Sequence, residues 1–207
     1  SKLVNPESLE QMTFNIQGGV LADDIGLGKT LTTLGLIYET LKENDPPTLI
    51  ICPNRLCKQW EEEITKTCPL KNKIISSITQ FKKLTIDSIN GFDTIILSYN
   101  FIISPKYTQL IEENPDLTTL LHKYTWKRVI LDEAHEFIHK NSHRKKRTTL
   151  IRNYINTIQS TYKWICSGTP YASYMDSWHI ISYICNRSID QSIHIKDLYY
   201  YKHIYDK

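Results

Sequence analysis

A doubly wound α/β fold, in which a parallel β-sheet is sandwiched between helices, is predicted by two features of the sequence. Short apolar runs rich in β-branched and aromatic residues recur along the chain, each closing near a small or polar residue. Between them lie longer stretches whose apolar residues repeat at helical spacing. Strand and helix in alternation cover both faces of a sheet with helices. The 207 residues suffice for one well-cored domain, or at most two small ones.

The elements follow in order. "GGVLA" (18–22) reads as the first buried strand, and "KTLTTLGLIYETLKE" as a helix with Leu34, Ile37 and Leu41 on one stripe. "TLIIC" (48–52) is the second strand, followed by "NRLCKQWEEEI", where Leu56, Trp60 and Ile64 stand four apart. "KIISSI" (73–78) is the weakest strand candidate, while "DTIILS" (93–98), "RVILD" (128–132) and "YKWICS" (162–167) are clear ones. "SYMDSWHIISYI" predicts a late helix with Trp178, Ile181 and Ile184, or a neighbouring phase, on its stripe. "LYYYKHIY" near the end fits neither pattern and is expected to be a packed terminal helix or the beginning of something further. No internal repeat or low-complexity linker is present. The expected division is an N-terminal segment at 1–17, a core lobe at 18–186 and an extension at 187–207.

Composition excludes several classes. With 41% hydrophobic and 23% charged residues the chain reads as soluble and globular. No apolar run approaches the ~18 residues of a membrane span, and the first twenty residues lack the order of a signal peptide, so an intracellular protein without membrane contact is expected. Cys52, Cys57, Cys68, Cys166 and Cys185 include no CxxC pair and are expected to be reduced, mostly buried thiols. The net charge is +3 but uneven: no Asp or Glu occurs from Phe137 to Met175, where Lys140, Arg144, Lys145, Lys146, Arg147, Arg152 and Lys163 fall. Such a tract is a solvated loop and helix face or a surface that meets phosphates.

Chemistry concentrates in two motifs. In "GGVLADDIGLGKTLTTLGLI" a strand runs into a glycine-containing turn and then a helix, which aims backbone N–H groups and the positive helix end at one point. The binding stretch is Gly26, Leu27, Gly28, Lys29, Thr30 and Leu31. Its glycines let the backbone wrap phosphates, Lys29 reaches the β and γ oxygens, and Thr30 offers its hydroxyl to Mg²⁺. The strict P-loop pattern has a further glycine where this chain has Asp23. "RVILDEAH" brings Asp132 to a strand end, placed for Mg²⁺, with Glu133 next to it to orient and deprotonate water.

The same residues also spell HExxH from His135, a zinc-peptidase pattern, with His135, His139 and His143 four apart. Ser142 and Lys145 stand where the extended zinc pattern has Gly and His, and no carboxylate follows Glu136 until Asp176. No zinc site is expected, and ATP with Mg²⁺ is the cofactor pair.

"LADDIGLGKT", "LIICPNRLCKQWEEEI", "DTIILSYNFI", "RVILDEAH" and "WICSGTPYASYMDSWHIISYI" resemble, in order and spacing, motifs I, Ia, Ib, II and III of the Swi/Snf family of DNA-translocating ATPases in helicase superfamily two. The subgroup of repair and transcription-termination translocases is the most similar. The resemblance implies a RecA-like first lobe that binds Mg²⁺–ATP and touches double-stranded DNA. It implies that His135 senses the γ-phosphate and couples it to Ser167, Gly168 and Thr169. DNA-backbone contacts are implied near Pro53, Asn54 and Arg55, and near Ser98, Tyr99 and Asn100.

Three departures stand beside it. The usual Gln motif for adenine is not displayed before motif I, which leaves Gln11 or Gln17 to substitute. The Lys-Asn pair usual after DEAH falls later, at Lys140 and Asn141, so a lengthened basic loop reaching Arg147 is expected there. Nothing after motif III resembles the second lobe with its arginine fingers, which contribute on the order of 10³–10⁵ in rate. The chain is thus expected to be a fragment that binds ATP but hydrolyses it weakly alone. Alternatives from other classes are a superfamily-two RNA helicase lobe and a non-catalytic interaction module on the same fold. The resemblance implies a nuclear location, with nucleosomal DNA as one form of the duplex partner; the Ile-, Lys- and Tyr-rich composition equally suits a viral enzyme in a cytoplasmic replication compartment or virion.

Overall fold

The computed structural model describes residues 16–113, 118–138, 145–170 and 174–185. Among them six strands form one sheet: β1 (Gly18–Leu21), β2 (Thr48–Cys52), β3 (Asn72–Ile75), β4 (Thr94–Ser98), β5 (Trp126–Asp132) and β6 (Ser160–Cys166). Their spatial order is β1-β6-β5-β2-β4-β3 and every pairing is parallel. All six carboxyl ends therefore share one edge, where open α/β sheets gather their ligands. The helices are α1 (Lys29–Thr40), α2 (Cys57–Thr67), α3 (Ile78–Lys82), α4 (Ile86–Asn90), α5 (Tyr99–Ile102), α6 (Pro105–Glu113), α7 (Thr118–His122), α8 (His135–Ile138), α9 (Lys145–Thr157) and α10 (Tyr174–Ile184). None is long and apolar enough to cross a membrane.

The strands are apolar on both sides because both sides are covered. Ile50, Ile96 and Ile130 pack with Leu34, Ile37, Trp60 and Ile64 of α1 and α2. Their strand neighbours Leu49, Ile51, Leu97, Val129 and Leu131 face the other way, toward Phe101, Tyr107, Phe137, Ile151 and Ile180. Each fully buried Leu or Ile contributes about 1.5–3 kcal/mol relative to exposure. At the β1 edge the approach is closest: a Cβ on Gly18 would lie 1.6 Å from the Lys163 carbonyl oxygen, so only glycine fits.

Strand expectations hold to within two residues except in "KIISSI", which ends as a strand at Ile75. The next two serines begin a helix instead: Ser77 caps α3 by accepting from the Gln80 amide, and Ser76 donates to the Gln80 side chain. On α10 the neighbouring phase wins, with Ile180, Tyr183 and Ile184 buried and Ile181 exposed. Leu41 and Leu56, at the ends of their stripes, are only half-buried.

The basic tract is not all loop. Lys145 to Arg147 form the first turn of α9, whose Ile151 and Ile155 are buried. The burial of that apolar pair at helical spacing accounts for a helix where a lengthened loop was expected. His139, His143, Lys140, Asn141, Arg144, Gln11 and the segment 187–207 lie outside the described residues. All five cysteines are free; Cys52, Cys57, Cys166 and Cys185 are buried and Cys68 is half-buried.

Candidate functional site

Three loops meet at the carboxyl edge, after β1, β5 and β6. The first is the glycine turn. Gly26 and Gly28 have φ of 86° and 81°, left-handed values that disfavour a side chain. A Cβ on either would meet no atom within 4 Å, so conformation and not crowding requires glycine. Gly28 caps α1 without a side-chain hydrogen bond, and no acid stands in the first helical turn. The helix thus presents amide donors and its positive end. Lys29 Nζ donates to the Asp23 and Asp24 carbonyl oxygens at 2.8 and 2.9 Å and folds the turn around itself. Leu27 and Leu31 are exposed beside it, and Thr30 is half-buried.

The second loop begins at Asp132, which is buried. Its Oδ2 accepts from Trp60 Nε1 at 2.8 Å and its Oδ1 from the Glu133 amide at 3.0 Å. Burial pushes this carboxyl above its ordinary range; the Trp60 hydrogen bond and the Lys29 charge pull against the shift. Glu133 takes φ of 51°, a left-handed conformation that costs a non-glycine residue about 1–3 kcal/mol. Its amide also donates to the Cys166 carbonyl oxygen at 2.8 Å, which fixes the turn against β6. One turn on, His135 Nδ1 lies 3.1 Å from Glu133 Oε2 and 3.0 Å from Ser167 Oγ.

The third loop follows β6. Ser167 is fully buried, its amide donates to the Leu21 carbonyl oxygen at 3.1 Å, and its Oγ accepts from the Thr169 amide at 3.3 Å. A Cβ on Gly168 would meet Ile25 Cγ1 at 3.4 Å and the Asp23 carbonyl oxygen at 3.6 Å. The loop after β6 therefore packs directly on the glycine turn.

Beside this site lie the two stretches expected at nucleic acid. Asn54 and Arg55 are exposed in a 3₁₀ turn, while Pro53 is buried. Ser98 is buried and caps α5 by accepting from the Phe101 amide at 3.1 Å. Tyr99 is also buried; its hydroxyl donates to the Asp132 carbonyl oxygen at 2.8 Å, and burial raises its phenol well above the usual value. Of these three only Asn100 is exposed, and Arg147 of α9 donates to its side-chain oxygen. Tyr99 thus supports Asp132 from beneath.

Sequence reasoning missed two partners. Trp60 stood only for a helix stripe, although a buried indole N–H nearly always needs an acceptor, and that need pointed to a nearby polar site. Glu136 forms an ion pair with Arg55 at 2.8 Å, eighty-one positions away. No spacing rule could have found it. No cluster of three or more metal-ligating side chains occurs among the described residues.

Comparison with known proteins identifies the family. The chain is 34% identical over 168 residues to an uncharacterised ATP-dependent helicase of Schizosaccharomyces pombe, a match over 74% of this chain and 16% of that protein. It is 29% identical over 177 residues to the nuclear protein STH1/NPS1 of Saccharomyces cerevisiae, over 82% of this chain and 12% of that one. Among solved structures, the Sulfolobus solfataricus SWI2/SNF2 ATPase core in complex with double-stranded DNA superimposes with a TM-score of 0.62 at 27% identity, over 82% of this chain and 31% of that chain. The chain spans less than a third of each of these proteins. The family described as the SNF2-related domain matches residues 8–198, so that the glycine turn, the Asp132–Glu133 pair and the Ser167 loop all lie within it: this chain belongs to the SNF2-related domain family.

Proposed function

We propose that the chain is the ATP-binding motor lobe of a Swi/Snf-type enzyme that couples Mg²⁺–ATP hydrolysis to translocation on double-stranded DNA. The observation that carries the reading is the bridge from Glu133 through His135 to Ser167, beside the buried Asp132 and the open glycine turn. A triphosphate suits a turn with two left-handed glycines and open space, leading into a helix start without acids. Magnesium suits the hard oxygen set of Asp132 and Thr30: a carboxylate has about four lone-pair positions, and Trp60 and the Glu133 amide use one each.

Bound Mg²⁺–ATP would supply the γ-phosphoryl group and neutralise part of its charge. The chain's own residues do the remainder. Gly26 to Leu31 would hold the phosphates, Lys29 would exchange the Asp23 and Asp24 carbonyls for them, and Thr30 and Asp132 would hold the metal. Glu133 orients a water and accepts its proton. Trp60 and Tyr99 keep Asp132 aimed. His135 carries any shift of the Glu133 carboxylate to Ser167 and hence to Thr169, bonded to it, and to Gly168, which rests on the glycine turn.

Asn54, Arg55 and Asn100, with Arg147, form the face offered to DNA phosphates; Ser98 and Tyr99 shape it from below. Double-stranded DNA is favoured over RNA by the Sulfolobus complex. A nuclear location is favoured by relatives such as STH1/NPS1 and a chromatin-remodelling protein of Arabidopsis thaliana. Full activity requires a second RecA-like lobe with its arginine fingers. The test is phosphate release by the full-length protein with Lys29→Ala, with duplex DNA or single-stranded RNA added. A loss of about 10²-fold or more, and stimulation by duplex DNA, are expected. Wild-type turnover in the variant, or stronger stimulation by RNA, overturns the reading.

A further inference from the structure

The Arg55–Glu136 pair joins the DNA-facing turn to the helix that carries the catalytic histidine. Arg55 lies in the turn after β2 and Glu136 on α8, one residue beyond His135. The guanidinium Nη1 lies 2.8 Å from Glu136 Oε1, with the side chains 65% and 34% exposed. Glu136 is the main cause that raises the Arg55 guanidinium further, and Glu133 and Asp132 act on it in the same direction. Glu136 is the carboxylate in direct contact with this exposed cation. Glu136 in turn is part of a single helical turn, its amide donating to the Glu133 carbonyl oxygen at 3.1 Å.

We propose that Glu136 is a latch: it holds Arg55 back from nucleic acid until a backbone phosphate displaces it, and so reports duplex binding to α8. This rests on the motor reading above. The exchange is favourable because an exposed ion pair is worth about 0–1 kcal/mol, whereas a guanidinium grips a phosphate with two parallel hydrogen bonds. When Arg55 leaves, the one-turn helix loses its outer tether. Duplex binding and nucleotide chemistry are thereby coupled through one side chain.

The experiment uses the full-length protein, a short fluorescent DNA duplex and phosphate release. Glu136→Gln is expected to bind duplex about twofold to fivefold tighter, the equivalent of a surface ion pair, and to reach half-maximal ATPase at correspondingly less DNA. Arg55→Ala is expected to weaken binding, and adding Glu136→Gln to it to restore nothing. The swapped pair Arg55→Glu with Glu136→Arg, which would rescue a merely structural bridge, is expected to remain weak on DNA. Unchanged affinity in Glu136→Gln, an equal gain in the Arg55→Ala background, or rescue by the swap overturns the latch while leaving the motor reading intact. Failure of the wild-type protein to bind duplex overturns both.

Discussion

Strand β5 carries buried charge at both ends, and the two ends use it differently. At the amino end Arg128 is 2% exposed, and its guanidinium donates to the hydroxyls of Thr48 at 3.3 Å and Thr40 at 2.5 Å. Next to it Lys127 pairs with Asp45 and donates to the Thr40 carbonyl oxygen at 2.8 Å. The Lys127 hydrogen bond holds the Asp45 carboxyl below its usual range. These bonds tie the end of α1, the start of β2 and β5 into one corner, with the buried Arg128 Nε left without a hydrogen-bond partner among the described residues. At the carboxyl end Asp132 keeps spare lone pairs, its neighbour Glu133 sits in a left-handed conformation, and His135 bridges two loops. Charge that is consumed by its neighbours builds the fold; charge that is held ready in a strained loop is available for chemistry.

The largest effects should divide along that line. Glu133→Gln keeps the side-chain shape and removes the proposed proton acceptor, so the proposed DNA-stimulated ATPase of the full-length protein is expected to fall about 10²- to 10⁴-fold with little change in melting temperature. At the other end Arg128→Ala leaves the buried Thr48 hydroxyl and the exposed Thr40 hydroxyl without their donor and opens a gap. It is expected to lower unfolding free energy by about 2–4 kcal/mol in urea titrations while nucleotide affinity of the folded fraction stays close to wild type. A loss of turnover in folded Arg128→Ala protein as deep as that of Glu133→Gln would erase the distinction between the two ends.

Much of the carboxyl end was legible in sequence, and little of the amino end was. Asp132 follows three apolar residues, Val129 to Leu131, and a glycine turn precedes a helix, so local pattern places both at strand ends. Arg128 stands in the same apolar run, and nothing local announces that Thr40 and Thr48 accept it. The strand set was readable because buried parallel strands are continuous apolar runs, but their order was not, since β6 inserts between β1 and β5 only through long-range packing. The same limit hid Trp60 behind a helix stripe and α9 behind a charge run.

A smaller effect sharpens the comparison within the site itself. Gly28→Ala meets no atom, so its whole penalty is the left-handed backbone, about 1–2 kcal/mol. If the turn is shaped for phosphate and not for packing, thermal melts should show that modest loss while nucleotide affinity, read by titration calorimetry, falls much further. Equal and small changes in both would make the glycine turn an ordinary corner of the fold.

The smallest expected effect concerns a charge that belongs to neither end. Lys163 lies mid-strand in β6, 3% exposed, with Nζ 4.9 Å from the centroid of the Tyr183 ring. Burial lowers its ammonium from the usual 10.5 to about 8. The folded state therefore binds this proton less tightly than the unfolded chain does. Below about pH 8 the charged form is buried at full penalty, and the penalty is relieved as pH rises toward 10.5. The Tyr183 phenol is raised well above 10 and stays neutral through that window. Wild-type stability should thus climb between about pH 8 and pH 10 relative to Lys163→Met, by an amount on the order of 1 kcal/mol because the ring face offsets part of the desolvation. Paired urea titrations across that range measure it. Parallel curves for the two proteins would mean that Lys163 reaches solvent and belongs with the exposed charges, not with the interior.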